Sequence, residues 1–128
     1  MSTENPVLII SAVAAEDLTN DQYRWMVLAS TGFRRPDSEA EVVIGILQNA
    51  PKVGEEASVM VAGISKLQMN DALGLGAFVK AEYVSAADAG KGKTAAADLS
   101  HARGIVMEAS AAEDDLASVL LIGPLPAI

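Results

Sequence analysis

A glycine-bounded pattern occurs twice in this chain, and that echo constrains the fold more than any other feature. Gly45–Gly63 reads G-I-L-Q-N-A-P-K-V-G-E-E-A-S-V-M-V-A-G, and Gly104–Gly123 reads G-I-V-M-E-A-S-A-A-E-D-D-L-A-S-V-L-L-I-G. The two starts lie 59 residues apart. With one extra turn residue in the second copy, Gly45 matches Gly104, Ile46 matches Ile105 and Ala50 matches Ala109. Ser58, Val59 and Gly63 likewise match Ser118, Val119 and Gly123. Each copy is a short apolar run, a small-and-acidic turn and a second apolar run, which is the sequence form of a β-hairpin.

The remaining segments suit the same class. Val7–Val13 is β-branched and reads as a strand after Pro6, which cannot donate to a ladder. Ala14–Asn20 carries turn and cap residues, with a helical turn at Ala14–Leu18 as the competing reading. Gln22–Ser30 alternates, Tyr23, Trp25, Val27 and Ala29 on one face against Arg24, Met26 and Leu28 on the other. Thr31–Glu41 reads as a charged loop. Glu41–Asn49 and Ala57–Leu67 are the strands of the first copy, the second bent at Gly63, with Ala50–Glu56 as their turn. Gln68–Gly76 reads as a connection, Ala77–Ser85 as a half-buried strand and Ala86–Lys93 as a flexible tip. Thr94–Asp98 is a further short strand, although Asp88–His101 is helical by propensity apart from Gly90 and Gly92. Ala102–Ala109 and Leu116–Ile122 are the strands of the second copy.

Short strands at meander spacing with glycine-marked bends give an all-β fold, a compact barrel or sandwich. The expected organisation is an N-terminal arm over residues 1–6, one β domain over 7–122 and a tail over 123–128. A chain of 128 residues is large enough for one core without disulfides. Hydrophobic residues make up 51% but aromatics only 4%, so alanine and valine leave the core thin and favour self-association.

The charge of −8 argues against nucleic acid, whose phosphates need clustered Lys and Arg. The clusters present, Arg34-Arg35 and Lys91-x-Lys93, read as solvated loop charges. There is no cysteine for a thiolate site or disulfide. Met1–Pro6 lacks the basic region of a signal peptide, and no apolar run approaches a membrane span, so a soluble protein is expected.

Chemistry-bearing residues are sparse. His101 is the sole histidine, so a Ser/His/Asp arrangement would rest on it, yet its D-L-S-H-A-R-G context is that of a polar loop. Glu55-Glu56 and Asp114-Asp115 stand at equivalent turns. Carboxylate oxygens suit calcium, but no D-x-D-x-D-G loop surrounds them, and tip solvation is their simpler use. Gly74-Leu75-Gly76 lacks the G-K-[ST] of a phosphate loop. Lys66, in G-I-S-K-L-Q-M, invites a biotinyl or lipoyl carrier reading, although the E-A-M-K-M type of flank is missing. Tyr23 and Trp25 invite a sugar-stacking platform, although such a pair in a strand is more often core. No catalytic, cofactor or metal residue is expected.

The stretches V-I-G-I-L-Q-N-A-P-K-V-G-E-E-A-S-V-M-V-A-G-I-S-K and R-G-I-V-M-E-A-S-A-A-E-D-D-L-A-S-V-L-L-I-G-P resemble the capsid decoration, or head cement, proteins of tailed bacteriophages. D-L-T-N-D-Q-Y-R-W-M-V-L is similar to that family's opening segment, and the charged stretch Thr31–Glu41 is longer than the family pattern. The resemblance runs over about Val7–Pro124. It implies a β-barrel-like, tulip-shaped domain that binds the outside of a phage head and clamps neighbouring major capsid proteins. It also implies a homo-oligomer, most often a trimer, with a dimer as the alternative, soluble in the host cytoplasm before assembly. No enzyme activity, membrane or cofactor is implied. Contacts with capsid or neighbouring copies are expected at the termini, at Thr3, Glu4, Asn5, Pro6, Val7, Pro124, Leu125 and Pro126. The alternative is a small β-sandwich binding module, for carbohydrate through Trp25 or as a carrier through Lys66.

Overall fold

β-Branched and aliphatic runs separated by glycine and acidic turns fold into strands, and the computed structural model is all-β. It describes residues 4–38, 41–70, 72–85, 87–95, 102–109, 112 and 114–122. The strands are β1 (Asn5–Val13), β2 (Trp25–Ala29), β3 (Gly32–Arg34), β4 (Gly45–Leu47), β5 (Glu56–Gln68), β6 (Phe78–Ala81), β7 (Gly92–Thr94), β8 (Gly104–Glu108) and β9 (Leu116–Leu121). They form one sheet in the order β3-β2-β4-β5-β9-β8-β6-β7, with β1 added against β5. The sheet is antiparallel and strongly curled into a half-barrel.

The repeated pattern becomes a repeated structure. In the first hairpin Ile46 faces Met60 and Leu47 faces Val59. In the second, Ile105 faces Leu120 and Val106 faces Val119. Allowing for the extra turn residue, these are the same pairs. The hairpins then join through their second strands, β5 against β9, from Ile64↔Leu120 to Gln68↔Leu116.

β5 also carries β1 along its first half, from Asn5↔Ile64 to Val13↔Glu56. Gly63 is where the strand bends. Its φ of +114° is open to glycine, and a Cβ there would lie 2.5 Å from the Asn5 carbonyl oxygen. Opposite it, the β1 register slips between Pro6 and Leu8, as a bulge does when strands must bend.

The core has two parts. Trp25, Ile46, Met60, Leu67 and Val119 belong to the larger. Met26, Phe33, Leu18, Leu47 and Val59 belong to the smaller, which Ile10, Ala12 and Ile44 partly cover. Neighbouring residues of β2, β4 and β5 therefore point into different clusters, and the curled sheet buries side chains on both faces. The alternation read in Gln22–Ser30 holds at its centre, where Trp25 and Val27 enter the larger cluster and Met26 the smaller, all three buried, while Leu28 is exposed. Tyr23 lies before the strand at a φ of +66°.

Three expectations are corrected. Asn5 and Pro6 belong to β1 and not to an arm, because their backbones pair with Ile64 and Gly63. The Thr31–Glu41 loop contains β3, whose Phe33 anchors the smaller core. The Ala86–Lys93 tip is packed over its middle: Ala89, Gly90, Lys91 and Gly92 are buried, while Ala87 is exposed. Gly90 sits against Trp25, whose backbone N–H donates to the Gly90 carbonyl at 2.7 Å. Among the described residues no helix forms at Ala14–Leu18 or Asp88–Ala95.

Candidate functional site

Side chains placed on this scaffold give two apolar surfaces and one charged corner. The first surface is β1. Asn5–Val13 carries no charged residue, yet Val7 is 76% exposed and Leu8, Ile9 and Val13 are each about half exposed. Its ladder partner is β5, and only its end touches β3, through the Ala14–Phe33 bridge. Most natural edge strands are guarded by lysine, bulges or shortness. This one has Pro6 and the register slips before Ile9 at its start, but from Ile9 to Val13 it runs on without a charge.

The second surface is a groove of about 420 Å³ lined by Leu28, Val42, Val43, Ile44 and Arg103. Leu28 and Val42 are 47% and 61% exposed at its rim. Arg103 is 5% exposed. Its Nε donates to the Val43 carbonyl at 3.0 Å and its Nη2 to the Ile44 carbonyl at 2.6 Å. Burial lowers its pKa. Among the described residues no acidic group pairs with it.

The charged corner is a hollow of about 210 Å³ among Glu16, Arg34, Arg35, Pro36, Asp37, Tyr83 and Ala89. Arg35 donates to Glu16, and Arg34 grips both carboxylate oxygens of Glu41. The Arg34 guanidinium holds the Glu41 carboxyl at about 2. Behind them Asp21 is 2% exposed, with Arg24 Nη1 at 3.1 Å and Arg35 Nη1 at 3.7 Å. Burial pushes the Asp21 carboxyl up, against the pull of Arg35 and Arg24. Among the described residues each arginine here meets an acid, so the corner joins loop to sheet.

Of the expected contact residues, Glu4, Asn5, Pro6 and Val7 are exposed and lie together at the start of β1. Glu4 approaches Lys66 at 3.8 Å. Thr3, Pro124, Leu125 and Pro126 lie outside the described residues, as does His101. Lys66 stands inside β5 opposite Ser118, with Nζ 5.6 Å from the centre of the Tyr23 ring. That is mid-strand, not the hairpin tip a carrier lysine needs. Trp25 is fully buried, so no sugar-stacking face exists there. Gly74–Gly76 is a turn closed by Ala77 N–H donating to Gly74. No group of three metal-ligating side chains occurs among the described residues.

Sequence reasoning missed the buried cations. Arg34-Arg35 and Lys91 read as solvated, but the arginines are ion-paired. Lys91 is 6% exposed between Asp88 at 3.1 Å and Asp114 at 2.6 Å. Arg103 carried no signal beyond standing just before an apolar run.

No protein-family model matches the sequence, and a search of curated proteins finds no match. Among solved structures, the chain is similar to the N base of the head fiber gp8.5 of bacteriophage phi29. The TM-score is 0.66 at 14% identity, over 93% of this chain and 98% of that one. At that identity the likeness is one of fold: this chain is a curled antiparallel half-barrel of the same architecture.

Proposed function

We propose that this chain is a structural protein of a phage virion. It binds the outer surface of the head and cements adjacent major capsid proteins. The observation that carries the reading is the fold shared, over nearly the whole of both chains, with the base of a phage head fiber. The resemblance of the two hairpin sequences to head cement proteins points the same way. The surface chemistry suits the role. Exposed apolar strands serve protein contact, and no catalytic group is needed for it.

The role is non-catalytic and physical. A shell around packed DNA is pushed outward, and a protein that bridges subunit boundaries binds the intact shell better than its separated parts. That difference in affinity is free energy opposing rupture. Copies held at many lattice points, and tied to each other as a homotrimer, act multivalently.

Co-sedimentation of the purified protein with purified heads, before and after head expansion, tests the reading. Saturable binding, together with greater resistance of decorated heads to heat or chelation, is the expected result. Absence of binding to both forms of the head would overturn it.

A further inference from the structure

β1 and the groove are complementary, and they lie on one chain. β1 offers Val7, Leu8 and Ile9 to solvent on a strand without charge. The groove offers Leu28, Val42 and Ile44 around a hollow that nothing described fills. Charge follows the same division. Among the described residues Arg103 at the groove meets no carboxylate, while Glu4 at the head of β1 is approached by Lys66 at 3.8 Å. A strand of nine residues is ~30 Å long, enough to run across a contact of ordinary size, about 800 Å² per partner.

We propose that β1 of one copy seats in the Leu28–Val42–Ile44 groove of the next, with Glu4 directed toward its Arg103. The occupant is a second copy of this chain. This deepens the self-association proposed above by naming both sides of the contact, and it can be tested without heads. Because β1 and the groove are different surfaces, the contact is head-to-tail. Such contacts close into a ring when the rotation permits, as a trimer requires, and otherwise run on as filaments. The alternative self-pairing, β1 on β1 across a two-fold axis, leaves the groove unfilled.

Sedimentation velocity on the full chain, with paired variants, separates these arrangements. Wild type is expected to form a closed oligomer. Ile9→Lys damages the strand and Val42→Lys damages the groove, and each alone is expected to weaken association by roughly tenfold or more. Mixed in equal amounts they form a one-to-one dimer, because one retains an intact groove and the other an intact β1. Should either lysine variant lose its β circular-dichroism signal, the near-isosteric Val7→Thr and Val42→Thr are mixed in the same way.

A monomeric wild type overturns the proposal. So does a Val42→Lys variant that oligomerises normally, which would assign β1 to self-pairing or to the capsid. Oligomers that meet this pattern but ignore heads would leave the contact standing and remove the virion reading. Monomers that bind heads would do the reverse.

Discussion

Gly104 lies so close to Val119 that a methyl group on its α-carbon would come within 2.3 Å of Val119 Cγ1. The first hairpin has the same arrangement, with a Cβ on Gly45 falling 2.7 Å from Val59 Cγ1. The recurrence of glycine and valine in the sequence thus has a physical cause: the valine fills the space that the glycine leaves. The two sites differ in one respect. At Gly45 the Met60 carbonyl oxygen would also be 2.2 Å away, whereas at Gly104 the Leu120 carbonyl is at 3.4 Å. Gly104→Ala is therefore expected to cost about 1–3 kcal/mol, and Val119→Ala to relieve part of it. Val59→Ala should give no comparable rescue of Gly45→Ala, because backbone cannot be trimmed. Urea denaturation of the two double-mutant cycles checks the contrast.

Gly63 and Gly54 both hold positive φ, at +114° and +83°. A Cβ at Gly63 meets the backbone of Asn5 and Val7, while one at Gly54 meets nothing within 4 Å. Gly54→Ala is expected to cost about 1 kcal/mol from conformation alone. Gly63→Ala should cost about 2–4 kcal/mol, with collision added to strain. Amide hydrogen exchange should show the added loss at β1, which pairs across from Gly63. Equal costs at the two sites would contradict this account.

Glu41 and Asp21 give opposite pH dependences. Glu41, held at about 2 from an ordinary 4.5, contributes stability that is full above about pH 4.5 and lost as pH falls toward 2. Asp21 is raised by burial. Its contribution is full below its ordinary value and is lost as pH rises through its folded one. Glu41→Gln is expected to lower stability by about 1 kcal/mol at neutral pH, since the pair is partly solvated, and by much less at pH 2, where the carboxyl is half protonated. Unfolding followed across that range should show the gap between variant and wild type closing on the acid side. A constant gap would deny Glu41 this role.

Lys91 draws the segment before β7 onto the turn before β9 by pairing with both Asp88 and Asp114. Lys91→Ala leaves these carboxylates unmatched and is expected to cost about 2 kcal/mol, between the values for exposed and fully buried pairs. Lys91→Met keeps the stem and should recover the packing share of that loss. Thermal denaturation of both variants separates charge from packing.

The hairpins were legible in the sequence because both the turns and the apolar runs are local. Their register followed from residues within twenty positions of each other. The bend at Gly63 was legible for the same reason, since glycine inside a strand has few other uses. The placement of β1 on β5 and the short β3 were not, because both depend on partners far along the chain and Gly32–Arg34 has too few residues to show a period. Lys91 and Arg103 were illegible for another reason. A cation in a polar stretch looks solvated until the fold sets acids or carbonyls around it. The exposure of β1 ran against its composition, since V-L-I-I reads as interior strand by chemistry alone.

The pairing of β5 with three strands also orders events in time. Its partners β1 and β4 precede it, but β9 follows after roughly 50 further residues. At ~5–20 residues per second of synthesis, the Ile64–Gln68 end of β5 waits ~2–10 s for its mate. During that interval the nascent chain carries an unsatisfied edge bearing Ile64 and Leu67. The yield of folded protein should therefore respond to the speed of translation between β5 and β9 more than to its speed elsewhere.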